Sequence, residues 1–534
     1  MFSVRSGGNR RKQPSSQHGP AAGEGGAPGF DVDVIVVGAG PAGLAVASTL
    51  AERYTVLVVD ARPPRSDALG ESKVGRVHKS WFCPHDCLYD NPDLIDCRKP
   101  HGIRRYLIRT FSGASKGATD RFDLAWEPRQ FAHAEPGDRY PYLDEYKLIE
   151  HWERKLVAGT HGSRFLRGRL YQNHRTVPGG VVVRFRPTPD KNGTAAGRPE
   201  PASAPAGAEE LSESYRCRLL LDASGHDSDI RKVYPDEQAH LYWWSVFGAL
   251  VEHPEGDIGQ PPGKGSEMAV GDYMLWQTFA DTNADPDTPL HEGRPVFEYE
   301  VLDERTSFPL ILYLRPEQVS MEVAKAEFLR ILYEEEGNAA FRNTTVQEFK
   351  FGHYPSGRRF QSFAQDRVDF IGDAGLWTTP GGWGASFILK NYAPYCRRLT
   401  PLLDQDRLDK ASLRRLPKGH NKPAEFLMNC LATRFLAFGT VAQLDKYVQL
   451  FRETDPLMVE KIYTMRAGPR ELWTFGRAAA RTIGLRSLWT ALPHHERAQL
   501  LTDLARAVFQ FAKESALQLT GRNPERGFAV YAEK

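Results

Sequence analysis

Between residues 30 and 60 the hydrophobic positions fall in two unbroken blocks, Val34-Ile35-Val36-Val37 and Val56-Leu57-Val58-Val59, on either side of a run of small residues. A short continuous apolar block bounded by turn residues is the pattern of a strand buried on both faces, and 42–53 between the blocks reads as a helix. Two later blocks repeat the pattern: Leu219-Leu220-Leu221, ending in Asp222, and Val368-Asp369-Phe370-Ile371, ending in Gly372-Asp373. From 236 to 350 the pattern changes. Strand-like segments at 241–252, 273–279, 295–302 and 308–314 alternate with loops and predict an antiparallel sheet. A helical stretch follows at 385–399, and the chain turns helical again from about 401. The fold class is α/β, with a discontinuous parallel-sheet domain, an inserted antiparallel β-rich domain and a helical C-terminal region.

The 534 residues allow two or three domains and a large core. Hydrophobic residues at 41% and charged residues at 25% are ordinary for a soluble globular chain, and a net charge of +2 argues against nucleic-acid binding. Small molecules are the expected partners. Six cysteines in so long a chain do not make a disulfide scaffold, and the N-terminus lacks the apolar core of a secretory signal. The cytoplasm is the default location. No run approaches the roughly 18 apolar residues of a spanning helix, although 426–450 is apolar enough for a peripheral membrane contact. Residues 1–29 have almost no large apolar side chain and read as a disordered tail, whose early Arg5, Arg10, Arg11 and Lys12 leave a transit peptide open. The tract 187–214, rich in Ala, Gly, Pro and Glu, reads as a long flexible hairpin loop between strands at 181–185 and 215–221.

The junction of the first strand and helix carries the candidate chemistry. In Gly38-Ala39-Gly40-Pro41-Ala42-Gly43, Gly38 permits a tight turn, Gly40 lets the backbone approach a pyrophosphate, and Gly43 lets the helix lie close to the sheet. Pro41 and Ala42 open the helix, whose N–H groups and dipole favour phosphate. Asp60, at the end of the second strand, is placed to accept hydrogen bonds from a ribose. Together these parts predict a dinucleotide site.

Downstream, Asp222-Ala223-Ser224-Gly225, Gly372-Asp373 and Thr379-Pro380-Gly381-Gly382-Trp383-Gly384 complete a trio with that fingerprint. The trio resembles the flavoprotein superfamily of aromatic hydroxylases, flavin-dependent halogenases, geranylgeranyl reductases and lycopene cyclases, over about residues 30–400. The resemblance implies FAD, with Asp222 and Gly225 close to the cofactor, Gly372 and Asp373 on its ribityl chain, and the loop from Pro380 to Gly384 against the isoalloxazine. Glu71 and Ser72 match the stretch that borders the flavin in the superfamily. The FAD-binding domain is then 30–75, 140–235 and 351–400, the substrate domain 76–139 and 236–350, and the helical region 401–534. No second glycine-rich fingerprint follows, so NAD(P)H would bind transiently or a flavin reductase would supply electrons.

The β-rich insert is unusually aromatic. Trp243, Trp244, Tyr273, Trp276, Phe297, Tyr299, Phe308 and Tyr313 are candidates for the wall of a pocket that takes a lipophilic or aromatic molecule, although core packing explains most of them equally well. The helical tail and Ala374-Gly375-Leu376-Trp377-Thr378-Thr379-Pro380 resemble lycopene cyclases most. Their acidic cluster is missing from the matching stretch, Leu310-Ile311-Leu312-Tyr313-Leu314-Arg315-Pro316. Glu298 and Glu300 are the substitute catalytic acids, since an apolar pocket raises a carboxyl pKa; the alternation, however, favours Phe297, Tyr299 and Val301 inward and both glutamates in water. A halogenase WxWxIP segment and its lysine are absent.

Cys83, His85, Cys87 and Cys97 lack zinc-knuckle spacing, so no metal is expected. Arg104, Arg105 and Arg109 read as a solvated strand edge. The sequence therefore points to an FAD-dependent oxidoreductase, a monooxygenase that passes an oxygen atom to its substrate. A redox-neutral isoprenoid cyclase using reduced FAD is the alternative, and a flavin-bound interaction or sensor protein without turnover is a third class. Substrate identity and oligomeric state are not legible.

Overall fold

The structure is a computed structural model that describes residues 29–62, 80–82, 91–103, 105–109, 119–123, 140–188, 212–234, 241–254, 272–277, 295–303, 305–334, 338, 341–357, 363–377, 384–416 and 469–519, with isolated positions between 434 and 458. The expected tail, most of the 187–214 loop and most of 426–450 lie outside the described residues.

Strand β1 (Val34–Val37) and strand β2 (Val56–Asp60) are parallel and buried throughout, with helix α1 (Pro41–Leu50) crossing between them. β1 also pairs in parallel with Leu219–Asp222, which pairs with Val368–Phe370. Arg164–Arg167 lies beyond β2, and Ala364–Gln365 closes the other edge antiparallel, giving six strands. The unbroken apolar blocks have a direct cause. Val34 and Val36 point into a core shared with α1 and the helices Glu145–Ala158 and Gly384–Asp404, whereas Ile35 and Val37 point into a second core on the opposite face. That second core is capped by an antiparallel sheet of Arg169–Val177, Gly180–Pro187 and Glu213–Cys217. The single strand expected at 215–221 is therefore two. Arg218 separates a hairpin strand from one that enters the parallel sheet.

The second large sheet has seven strands in the order Thr345–Gly357, Leu241–Glu252, Thr306–Arg315, Val296–Val301, Asp272–Gln277, Arg105–Arg109 and Thr119–Asp123. The helix Met321–Glu334 covers one face, burying Phe328, Ile331 and Leu332 against Phe247, Ala249, Phe297 and Ile311. Three expectations need correction here. The boundary at 351 falls inside the strand Thr345–Gly357, and the boundary at 400 falls inside the helix Gly384–Asp404, because hydrophobic patterning marks elements better than the seams between them. Arg105–Arg109 is not an edge, since Thr119–Asp123 pairs along its outer side; Arg104 lies outside the described residues.

The C-terminal helices Pro469–Ala479, Leu485–Ala491 and His494–Leu519 are joined to this sheet by a buried polar cluster. Arg434 pairs with Glu496 at 3.1 Å and Asp503 at 2.8 Å, and the Tyr242 hydroxyl donates to Glu496 at 3.1 Å. No helix among the described residues is long and apolar enough to cross a membrane.

Candidate functional site

A cleft of about 470 Å³ opens at the carboxyl ends of the parallel strands, where ligands bind in open α/β sheets. Its lining includes Gly38, Gly40, Pro41 and Ala42 from the first turn, Asp60, Ser224 and Gly225, and Gly372 with Asp373. Residues far apart in sequence thus meet on one hollow. Gly38 sits at φ +104°, and a Cβ there would lie 2.3 Å from the Ala223 carbonyl oxygen. A Cβ on Gly43 would lie 2.1 Å from the Gly38 oxygen, so α1 packs too close to the strand end for any side chain. A Cβ on Gly40 would meet nothing within 4 Å.

The start of α1 has no side-chain cap and no acid in its first turn. Its first N–H groups therefore lack intrahelical acceptors and favour an anion. Asp60 is spent differently from expectation. Its Oδ2 accepts from the Ala39 N–H at 2.7 Å and from Arg62 Nη2 at 2.8 Å, while Oδ1 accepts from the Arg62 backbone N–H and Nε, both at 2.8 Å. Burial alone would raise this carboxyl; the hydrogen bonds and charge of Arg62 outweigh it and hold it below the usual range. Arg62, which no motif marked, lines the cleft with its guanidinium on the Asp60 carboxylate.

Asp222 also departs from its expected role. It is fully buried and accepts from the Ser224 N–H at 3.0 Å, the Ser224 hydroxyl at 2.6 Å and the Ser228 hydroxyl. It shapes the turn from inside, and its neighbours Ala223, Ser224 and Gly225 face the cleft. Arg231, also missed, is buried and spans the gap to the third segment, donating to the Ala374 carbonyl at 3.0 Å and the His226 carbonyl at 2.7 Å. Burial pushes Asp373 up to about 6 against the opposing charge of Arg231.

On the far wall Tyr171 bonds His174 Nδ1 at 2.6 Å, and His174 Nε2 meets the Tyr234 hydroxyl at 2.5 Å. Desolvation lowers His174 to about 4, so the ring is neutral and can donate on one side only.

The sheet insert meets the turn beside the cleft through Trp243. Trp243 packs edge-on against His226 of the buried turn at 5.2 Å and against His353 at 6.4 Å. Tyr354, paired with Trp244 across the sheet, is 52% exposed, yet the surrounding protein desolvates and raises its hydroxyl, and the charge of Asp373 adds to the effect. Three of the expected pocket aromatics lie elsewhere. Phe297, Tyr299 and Tyr313 belong to the core under the helix Met321–Glu334, and nothing is described for the side chains of Tyr273 and Trp276.

Glu298 and Glu300 pair with Leu310 and Phe308 on the face opposite that core. Both are half-buried and one oxygen of Glu300 is shielded from solvent, so the expectation that they stand in water does not hold. They are remote from Tyr354, several strands and residues away across the sheet. Gly384 begins the helix Gly384–Asp404. Glu71, Ser72 and Pro380 lie outside the described residues, as do Cys83, His85 and Cys87. Cys97 is buried, its thiol pushed up to about 11.

The sequence family of the NAD(P)-binding Rossmann-like domain matches residues 36–65. No curated protein is similar in sequence. Among solved structures, a geranylgeranyl bacteriochlorophyll reductase-like protein from Thermoplasma acidophilum superposes with a TM-score of 0.58 at 13% identity, covering 86% of this chain and 99% of that one. The halogenase PltM in complex with phloroglucinol and FAD superposes with a TM-score of 0.54 at 10% identity, covering 89% and 96%. The chain shares the fold of these two proteins, each over more than four-fifths of its length.

Proposed function

We propose that the protein is an FAD-dependent oxidoreductase, and that it acts as a monooxygenase on a lipophilic or aromatic small molecule. The residues fit the cofactor. The uncapped start of α1 and the open side of Gly40 suit the pyrophosphate, Arg62 and Asp60 the adenosine ribose, and Asp373 the ribityl hydroxyls. Bound FAD would supply the redox chemistry. The chain supplies position: the buried Asp222 and Arg231 hold the two later turns at the cleft, and Trp243 ties the insert to the turn at His226.

The observation that carries this reading is the cleft at the carboxyl ends of the parallel strands, where Gly38, Gly40, Asp60, Gly225 and Asp373 from separated segments meet. Trp243, edge-on against His226 of the neighbouring turn, would offer a flat apolar substrate an aromatic wall. NAD(P)H or a reductase is the electron source on this reading.

A redox-neutral cyclase remains the second reading because Glu298 and Glu300 are half-buried on the face away from the helix-covered core. A carboxyl so placed is a candidate proton donor. Turnover with chemically reduced FAD separates the readings. Oxygenation requires O2 and incorporates its oxygen into product; conversion without O2, at unchanged substrate mass, establishes cyclisation instead.

A further inference from the structure

The last helix, His494–Leu519, is amphipathic in the reverse sense from a soluble helix. Of its described carboxylates, Glu496 and Asp503 point inward at 2% and 0% exposure and meet Arg434. Beyond His494 and His495, its described exposed positions are Ala498, Leu501, Thr502, Ala505, Val508, Phe509 and Ala512, a stripe spaced as a single helical face. Leu501 is 55% exposed, Val508 66% and Phe509 71%. At 1.5 Å per residue the stripe runs for about 20 Å. A charged outer face is the usual arrangement, so this one marks a contact surface.

The preceding helices add the second half of the argument. Trp473 and Leu485 are exposed, Trp489 is partly so, and they are interspersed with exposed Arg477, Arg481 and Arg486. Arg497 lies over the Trp489 ring at 5.8 Å and donates to the Thr490 carbonyl, which ties this stretch to the start of the last helix. Among the described residues from 472 to 512 no acid is exposed. Glu453 accepts from Thr482 and is the exposed acid placed beside the stretch.

We infer that the face formed by 473–489 and the outer stripe of 498–512 docks on an anionic lipid surface. Tryptophan and arginine beside aliphatic side chains are the chemistry of the headgroup boundary, where apolar area is buried and cations meet lipid phosphate. A second copy of this chain is a poorer occupant. An isologous contact would bring the same arginines toward their symmetry mates, and among the described residues from 472 to 512 no exposed acid lies there to receive them. The inference does not depend on the flavin reading.

Flotation of the full chain with equimolar phosphatidylglycerol–phosphatidylcholine vesicles tests it. Binding is expected, with about a tenfold loss on pure phosphatidylcholine or in high salt. Val508→Glu and, separately, Arg477→Glu combined with Arg481→Glu are each expected to reduce the bound fraction about tenfold while the far-ultraviolet circular dichroism stays unchanged. The two variants act through different forces, so a misfolded one leaves the other decisive. Wild-type protein that stays with neither vesicle overturns the inference. So does a concentration-dependent dimer that Val508→Glu disperses while vesicle binding is absent.

Discussion

The nucleotide cleft and the inserted sheet are built from the same chain by different rules. In the cleft several polar groups find partners close in sequence: Asp60 with Arg62, and Asp222 with Ser224 and Ser228. Such local chemistry leaves short motifs in sequence. On the sheet the decisive question is which face a residue occupies and what lies opposite, and both depend on strand pairing across long separations, such as Trp244 with Tyr354. A strand–turn–helix junction is therefore legible from its motif, whereas a surface assembled by a sheet requires the folded strands.

The largest effect that would break this contrast is in the cleft. Gly43→Val places its side chain against the Gly38 carbonyl and is expected to cost more than about 4 kcal/mol, yielding no soluble, flavin-containing protein; thermal melts and absorbance of the purified variant check it. Next in size is the tie between the sheet and the C-terminal helices. Arg434→Met leaves Glu496 and Asp503 buried without their cation, which costs about 3–5 kcal/mol by chemical denaturation.

Two ionisable groups of the cleft sharpen the comparison because they respond to pH in opposite directions. The folded-state pKa of His174 is depressed from 6.5 to about 4, so its neutral form is favoured by folding. Stability is expected to fall by about 2 kcal/mol as pH drops from 6.5 to 4, and His174→Asn should flatten that slope. Asp373 is raised from 3.8 to about 6, so the cofactor-free protein loses stability as pH rises between those values. Asp373→Asn should remove that loss, worth about 1–2 kcal/mol, while weakening FAD about tenfold by titration. A variant that gains stability but binds FAD unchanged would separate Asp373 from the cofactor. The smallest effect belongs to the sheet: on the oxygenase reading, Glu298→Gln and Glu300→Gln each change turnover less than about twofold, whereas loss of a general acid costs 10²–10⁴-fold, roughly.

Much of the fold was readable. The apolar blocks at 34–37 and 56–59 are strands because alternate side chains enter two different cores, and the segments at 241–252 and 308–314 became strands of the inserted sheet. The site was readable where glycines are sterically required. Arg62, Tyr171 and Arg231 escaped notice because an isolated arginine or tyrosine has no periodicity, and their roles come from neighbours such as Asp60, His174 and Ala374. Asp-Ala-Ser-Gly marks the turn, but nothing in it tells whether the carboxylate faces the hollow or the protein, and Asp222 faces the protein. The acidic inward face of 494–519 was hidden for a related reason: the pairing of Glu496 and Asp503 with Arg434 spans more than sixty residues.

The most direct measurement is the absorbance spectrum of the purified full chain, followed by mass analysis of the ligand released on denaturation and titration of the stripped protein with FAD. A visible flavin spectrum, release of FAD, and rebinding that Arg62→Ala weakens are expected. A folded, colourless protein that takes up no FAD at saturating concentration would contradict it.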